Sequence, residues 1–327
     1  MAENDYILQV KDLKQYFYPD RKHVVKAVDG VSFRVRRGST FGLVGESGSG
    51  KSTIGKALIR LNDPTSGSIL FDGEEIAGKL TRDLRRHITG KMQMIFQDPM
   101  ASLNPKKKII DIVAEGLDAN HLYKSREERT ELVCSMLECV GLSREFANRY
   151  PHMFSGGQRQ RVGIARALAS EPKLVVCDEP VSALDVSVQA QILNLLEELQ
   201  RDLGVAYLFI AHDLSVVRHI SDNVAVMYLG RIVEYGDWKN LYEHPAHPYT
   251  RTLLSAVPIP DPEIEKTRNT EVIRGDVPSV SHIPAGCSFH TRCPYAAEEC
   301  KKAVPELKDL GDGHFSACIY ARRLLDD

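Results

Sequence analysis

Three short runs along the chain are almost wholly apolar: TFGLVG (residues 40 to 45), KLVVC (173 to 177) and VAYLFI (205 to 210). Each has the length and continuity of a strand buried on both faces, as in a parallel sheet. Two others, IGKALIRL (54 to 61) and REERTELVCSMLECVGL (126 to 142), space their apolar residues at the period of a helix. Strand, glycine-rich loop and helix follow one another at 40 to 61, which predicts an α/β fold. From residue 243 the character changes: nine of the sixteen prolines fall there and no long-period pattern runs through it, so this part is expected to be a separate, irregular appendage.

At 327 residues, with 43% hydrophobic and 26% charged residues, the chain is expected to hold one main core plus that appendage. A net charge of -2 gives no basic field for a nucleic-acid backbone, so no nucleic-acid partner is expected. The N-terminus, MAENDYILQV, lacks the basic and long apolar regions of a secretory signal. VAYLFIA (205 to 211) is far short of the roughly 18 to 20 residues of a membrane helix. A cytoplasmic protein is expected, in which seven cysteines are thiols or metal ligands rather than disulfides.

The loop between the first strand and helix reads GESGSGKST. Gly45, Gly50, Lys51 and Ser52 occupy the fixed places of G-x-x-x-x-G-K-[ST]. Its glycines let successive backbone amides and the helix N-terminus face phosphates, so Glu46, Ser47, Gly48, Ser49 and Thr53 are placed beside the nucleotide with them. Lys51 adds positive charge there, and the Ser52 hydroxyl is suited to Mg²⁺. KLVVC ends in Asp178-Glu179-Pro180. Acids at the carboxyl edge of a buried parallel strand face the ligand crevice, where Asp178 can orient the Mg²⁺ shell and Glu179 can polarise an attacking water. A helix cap after Pro180 is the plainer alternative.

Between these motifs lies FSGGQRQRVGIARALA (154 to 169). Ser155, Gly156, Gly157 and Gln158 resemble the LSGGQ signature of ATP-binding cassette (ABC) ATPases, with Phe154 in place of Leu. Ser followed by two glycines opens a helix whose amides face an anion. The resemblance implies that this anion is the phosphate of an ATP held by an opposing cassette. It implies a P-loop NTPase with a RecA-like sheet core and a helical subdomain. Gln97 resembles the glutamine that touches Mg²⁺ and water and reports to the membrane partner. Ser182, Ala183, Leu184 and Asp185 resemble the loop that crosses the dimer interface, and His212 the switch histidine on the γ-phosphate. Phe17 aligns with the aromatic that stacks on adenine, with Tyr16 and Tyr18 as neighbours in register. An ordinary turn at Gln97, a cap at Asp185 and a structural role for His212 are the plainer readings.

The expected organisation is a cassette at 1 to 242, with core 1 to 98 and 172 to 242 and a helical signature subdomain at 99 to 171, followed by an extension at 243 to 327. HPAHPYTRTLLSAVP (244 to 258) resembles the segment that follows the cassette in dipeptide and oligopeptide importer subunits. Cys287, Cys293, Cys300 and Cys318 stand as C-x5-C-x6-C-x17-C, similar to cysteines that can hold a 4Fe-4S cluster in that family. Zinc, no metal or a disulfide stay open as alternatives. Cys134, Cys139 and Cys177 read as packing residues. The resemblance implies an ATP-hydrolysing subunit of a peptide importer on the cytoplasmic face of the membrane. It also implies pairing with a second cassette, a paralogue rather than an identical copy, on two permeases served by an extracytoplasmic peptide-binding protein. Import of nickel or oligosaccharides, a soluble ABC ATPase of DNA repair or translation, and a non-catalytic regulatory module are the competing readings.

Overall fold

The computed structural model describes residues 5–20, 23–257 and 275–326. Strands β1 (Tyr6–Phe17), β2 (Val25–Arg36), β4 (Ser66–Phe71) and β5 (Glu74–Glu75) form an antiparallel sheet in the order β2-β1-β4-β5. The larger sheet contains β3 (Thr40–Val44), β6 (Met92–Ile95), β7 (Leu174–Asp178), β8 (Ala206–Ala211), β9 (Asn223–Tyr228), β10 (Arg231–Asp237), β11 (Lys308–Gly311) and β12 (His314–Ser316). Its order is β11-β12-β10-β9-β3-β8-β7-β6, parallel from β9 to β6 and antiparallel at the β10 side.

Residues of β3, β7 and β8 are buried throughout, which is what their uninterrupted apolar runs require. Successive side chains face opposite sides of the sheet. Leu174, Val176, Leu208 and Ile210 join the core beneath the antiparallel sheet, with Leu8, Phe33 and Phe71. Val175, Cys177, Tyr207 and Phe209 join the other core, with Val113, Leu137 and Leu168 of the helical segments. The expected strands are present with ends moved by at most one residue. The helix after the glycine loop starts earlier than its apolar spacing suggests, at Lys51–Leu58, because Gly50 in left-handed conformation caps it.

Residues 99 to 171 carry helices, including Arg126–Cys139 and Gly156–Leu168, and no strand. Past residue 242, a helix spans Pro248–Ser255 and the β11–β12 hairpin adds to the main sheet. Glu234 pairs with Ser316 and Tyr235 with Phe315, so backbone hydrogen bonds cross the position at which the appendage was expected to begin. Glu234 is fully buried; its carboxylate accepts the amides of Ala246 (2.7 Å) and His247 (2.9 Å) and lies 2.8 Å from His314 Nε2. One buried carboxylate thereby ties the Pro248 helix and the hairpin to β10, which is why this stretch packs into the fold.

Candidate functional site

Because β3, β6, β7 and β8 are parallel neighbours, the loops leaving their carboxyl ends share one edge. Those loops carry the 45 to 53 turn, Gln97, Asp178-Glu179 and His212. An open α/β sheet places its ligand crevice at this edge.

Within the glycine loop, Lys51 Nζ donates to Gly45 O (2.7 Å) and Glu46 O (2.9 Å) and approaches Ser49 Oγ (3.5 Å). Burial lowers the Lys51 pKa, opposed by the nearby charges of Glu179, Asp178 and Glu46. Ser52 Oγ donates to Asp178 Oδ1 at 2.7 Å, joining the loop to the end of β7. Burial raises the Asp178 pKa, partly offset by that hydrogen bond.

Glu179 has φ of 47°, a left-handed backbone that costs a non-glycine residue about 1 kcal/mol or more. Its amide donates to Ile210 O (2.9 Å), which fixes the turn. Its Oε2 accepts Gln97 Nε2 (2.9 Å) and lies 3.3 Å from His212 Nδ1. Three expected residues from three loops therefore meet at one carboxylate oxygen.

The signature segment stands elsewhere, at the start of the Gly156–Leu168 helix. Ser155 Oγ accepts Gln158 N (3.3 Å), and Gln158 Oε1 accepts Ser155 N (3.0 Å), closing a capping box. A Cβ on Gly157 would come within 2.7 Å of Val188, and one on Gly156 within 3.6 Å of Leu184. Leu184 of the 182 to 185 loop and Val188 of the helix that follows it thus pack against the signature glycines of the same chain. Asp185 caps the Val186–Leu203 helix, accepting Val188 N at 3.0 Å, as the plainer reading of that residue expected. Ser182 Oγ donates to Glu179 O at 3.1 Å.

Of the three neighbouring aromatics, Tyr16 donates its hydroxyl to Asp29 Oδ1 at 2.5 Å; burial and then that bond raise its pKa to about 12. Phe17 ends β1 and is 38% exposed, and Tyr18 is more exposed still.

All four extension cysteines have free thiols and line one small cavity together with Phe289 and Pro305. Backbone amides of Tyr295 and Tyr320 hydrogen-bond the Cys293 and Cys318 sulfurs, and those of Phe289 and His290 the Cys287 sulfur. Among the described residues, no group of three or more His, Cys, Asp or Glu side chains converges to hold a single metal ion. Cys134 and Cys177 are buried and Cys139 is exposed.

Two contacts that the sequence does not announce join the residues beyond 242 to the glycine loop. Arg292 and Tyr249, far away in sequence, both meet Glu46. Tyr249 lies in the HPYT stretch; Arg292 sits in no pattern that would single it out.

Residues 28–182 match the family described as "ABC transporter", and residues 233–300 match "Oligopeptide/dipeptide transporter, C-terminal region". The oligopeptide transport ATP-binding protein AppF of Bacillus subtilis (strain 168) is 52% identical over 324 residues, 97% of this chain and 98% of its own. OppF of Escherichia coli (strain K12), which has the same descriptive name, is 54% identical over 300 residues, covering 92% and 89% of the two chains. The chain belongs to the ABC family of oligopeptide transport ATP-binding proteins. Among solved structures, this ATP-binding protein resembles cbiO1 of Clostridium perfringens, part of the transporter complex cbiONQ. That match has a TM-score of 0.65 and 31% identity over 73% of this chain and 91% of that one. It also resembles the cassette MJ0796 in a dimeric post-hydrolysis state with ADP and Pi, at TM-score 0.65 and 28% identity over 71% and 98%. Among its described residues no helix is long and apolar enough to cross a membrane.

Proposed function

We propose that this chain binds and hydrolyses ATP to power import of dipeptides and oligopeptides across the cytoplasmic membrane. The observation that carries the reading is the meeting of Gln97, Glu179 and His212 beside the Ser52–Asp178 hydrogen bond, in a chain more than half identical to oligopeptide transport ATP-binding proteins over nearly its whole length.

In this reading residues 45 to 53 hold the phosphates of ATP, and Phe17 stacks on its adenine. Ser52, Asp178 and Gln97 would hold Mg²⁺, which supplies positive charge against the phosphates. The residues fit that ion: a hydroxyl and a carboxylate already in contact at the sheet edge are oxygen donors of the kind it takes. Glu179 accepts a proton from the attacking water while Gln97 and His212 hold its carboxylate in place. Ser155 to Gln158, at the mouth of their helix, act on the ATP of a second cassette, and residues 182 to 185 cross that interface.

The partner cassette is a paralogue, and the pair sits on two permeases at the cytoplasmic face, supplied by an extracytoplasmic peptide-binding protein. Exposed Met100 and Met153 beside the Gln97 and signature segments support a docking face there. A division into core, helical insert (99 to 171) and extension (243 to 327) accompanies this reading. In the purified complex, peptide-loaded binding protein should raise phosphate release at least threefold over its unloaded form. Equal stimulation by a nickel- or oligosaccharide-loaded binding protein would instead favour those substrates.

We infer that the four free thiols lining one cavity of the extension would hold a 4Fe-4S cluster rather than a single ion. A cluster bonds each thiolate to a different iron, so its ligands surround a volume instead of converging on a point. Burial raises the Cys293 pKa to about 12 and that of Cys318 to about 11, so a metal centre's positive charge is what would make them thiolates. Such a cluster would act as a structural staple. Cys293→Ser is expected to abolish bound iron and sulfide and lower the melting temperature by several degrees; unchanged iron content and melting would remove Cys293 as a ligand.

A further inference from the structure

A carboxylate in a loop built for a polyphosphate is a liability, because an unpaired negative charge a few ångströms from the phosphates repels them. Glu46 is such a residue, the second of GESGSGKS. Its Oε1 and Oε2 accept a two-pronged bond from Arg292, at 3.1 Å from NH2 and 2.8 Å from NH1. Arg292 is only 8% exposed. Its guanidinium lies over the Tyr228 ring, 5.9 Å from the centroid, with NH1 also 3.3 Å from the Tyr228 hydroxyl. Burial works against its charge, and the Glu46 bonds more than compensate.

Glu46 is held from the backbone side as well, its amide donating to Tyr249 OH at 2.9 Å. Tyr249, Tyr228 and Phe289 pack ring against ring with centroids 4.7 to 5.3 Å apart. Phe289 and Arg292 belong to the same tight loop as two of the cysteines. Arg292 N donates to Phe289 O (3.0 Å), His290 N to Cys287 O (3.0 Å), and Cys287 N to Cys300 O (2.7 Å). Cys293 follows Arg292 directly.

We propose that the cysteine-bearing loop 287 to 293 braces the phosphate loop, with Arg292 as a positioning residue that neutralises Glu46, so that nucleotide affinity depends on the folded state of the extension. This rests on the reading of residues 45 to 53 as the nucleotide site. Coupling of this kind is reciprocal: if an ordered extension strengthens ATP binding, bound ATP orders the extension by the same factor.

The test uses the full-length chain and the affinity of a fluorescent ATP analogue. Arg292→Gln is expected to weaken binding about tenfold, Arg292→Lys to recover part of the loss, and adding Glu46→Gln to Arg292→Gln to recover most of it. Melting temperature is expected to fall, because one partner of a buried ion pair is removed, but far-UV circular dichroism at the assay temperature should stay that of wild type, which separates a lost brace from a lost fold. Hydrogen exchange on the wild-type chain serves if Arg292→Gln does not fold: ATP should slow exchange at residues 287 to 293 severalfold. Binding by Arg292→Gln within twofold of wild type, or exchange there unchanged by ATP, overturns the inference. Lys51→Ala is the control. If it loses binding while Arg292→Gln does not, the brace alone fails. If it binds as wild type does, the nucleotide site itself has been misplaced.

Discussion

Replacing Glu179 by Gln should reduce phosphate release at least about 100-fold while leaving ATP affinity within a few-fold of wild type, the range expected when a general base is removed. The substitution keeps the shape of the side chain and its capacity to hydrogen-bond Gln97 and His212. What it loses is the ability to take a proton. The carboxylate is held from both sides, by Gln97 Nε2 at 2.9 Å and His212 Nδ1 at 3.3 Å, on a backbone fixed by the Glu179 amide bond to Ile210. A strained left-handed residue at a strand end, anchored this way, directs its side chain instead of leaving it to sample. Single-turnover phosphate release and equilibrium nucleotide binding, measured on the same preparation, separate the two effects. Retained turnover would move the proton acceptor elsewhere, and nucleotide binding without turnover in both proteins would favour the regulatory, non-catalytic reading.

Gly50→Ala should be as damaging, by another route. Gly50 has φ of 104°, and a Cβ there would lie 2.1 Å from the carbonyl oxygen of Ala27 and 2.9 Å from Met227 Cε. The methionine end can move, but the backbone oxygen of β2 cannot do so without disturbing the strand pairing. Loss of about 3 kcal/mol or more is expected, with nucleotide binding abolished, since strain and a backbone clash act together. Gly48 is the internal comparison: its φ is also positive, at 79°, yet nothing lies within 4 Å of an added Cβ. Gly48→Ala should therefore cost only the roughly 1–2 kcal/mol of the left-handed backbone. Melting curves of the two variants read the difference directly.

Much of the site was legible because its signals are local. A fully buried parallel strand must be apolar along its whole length, so β3, β7 and β8 stood out, and the phosphate loop lies within a dozen residues of one of them. The β11–β12 hairpin was not legible: its strands have four and three residues, too short for an alternating pattern to rise above chance. Nor was Glu234, whose burial is compensated by amides 12 and 13 residues away and a histidine 80 residues away. Arg292 and Glu46 are separated by 246 positions, and an arginine beside a cysteine carries no local mark of its partner. The left-handed backbone of Glu179 also escapes a sequence reading, because glutamate has no preference for it and only the surrounding loop imposes it. Where adenine stacking is proposed, three adjacent aromatics blur the register; the Tyr16–Asp29 hydrogen bond takes one of them up, which a string of letters cannot show.

The central claim is that ATP hydrolysis at this site drives peptide movement, and the most direct measurement is uptake of a radiolabelled oligopeptide by vesicles containing the complete complex. Wild-type complex with ATP and binding protein on the appropriate sides should accumulate peptide. The same complex carrying Glu179→Gln in this chain should accumulate at most a few per cent as much, although it still binds ATP. Equal accumulation by the two complexes would contradict the account, because transport would then proceed without the chemistry assigned to this chain.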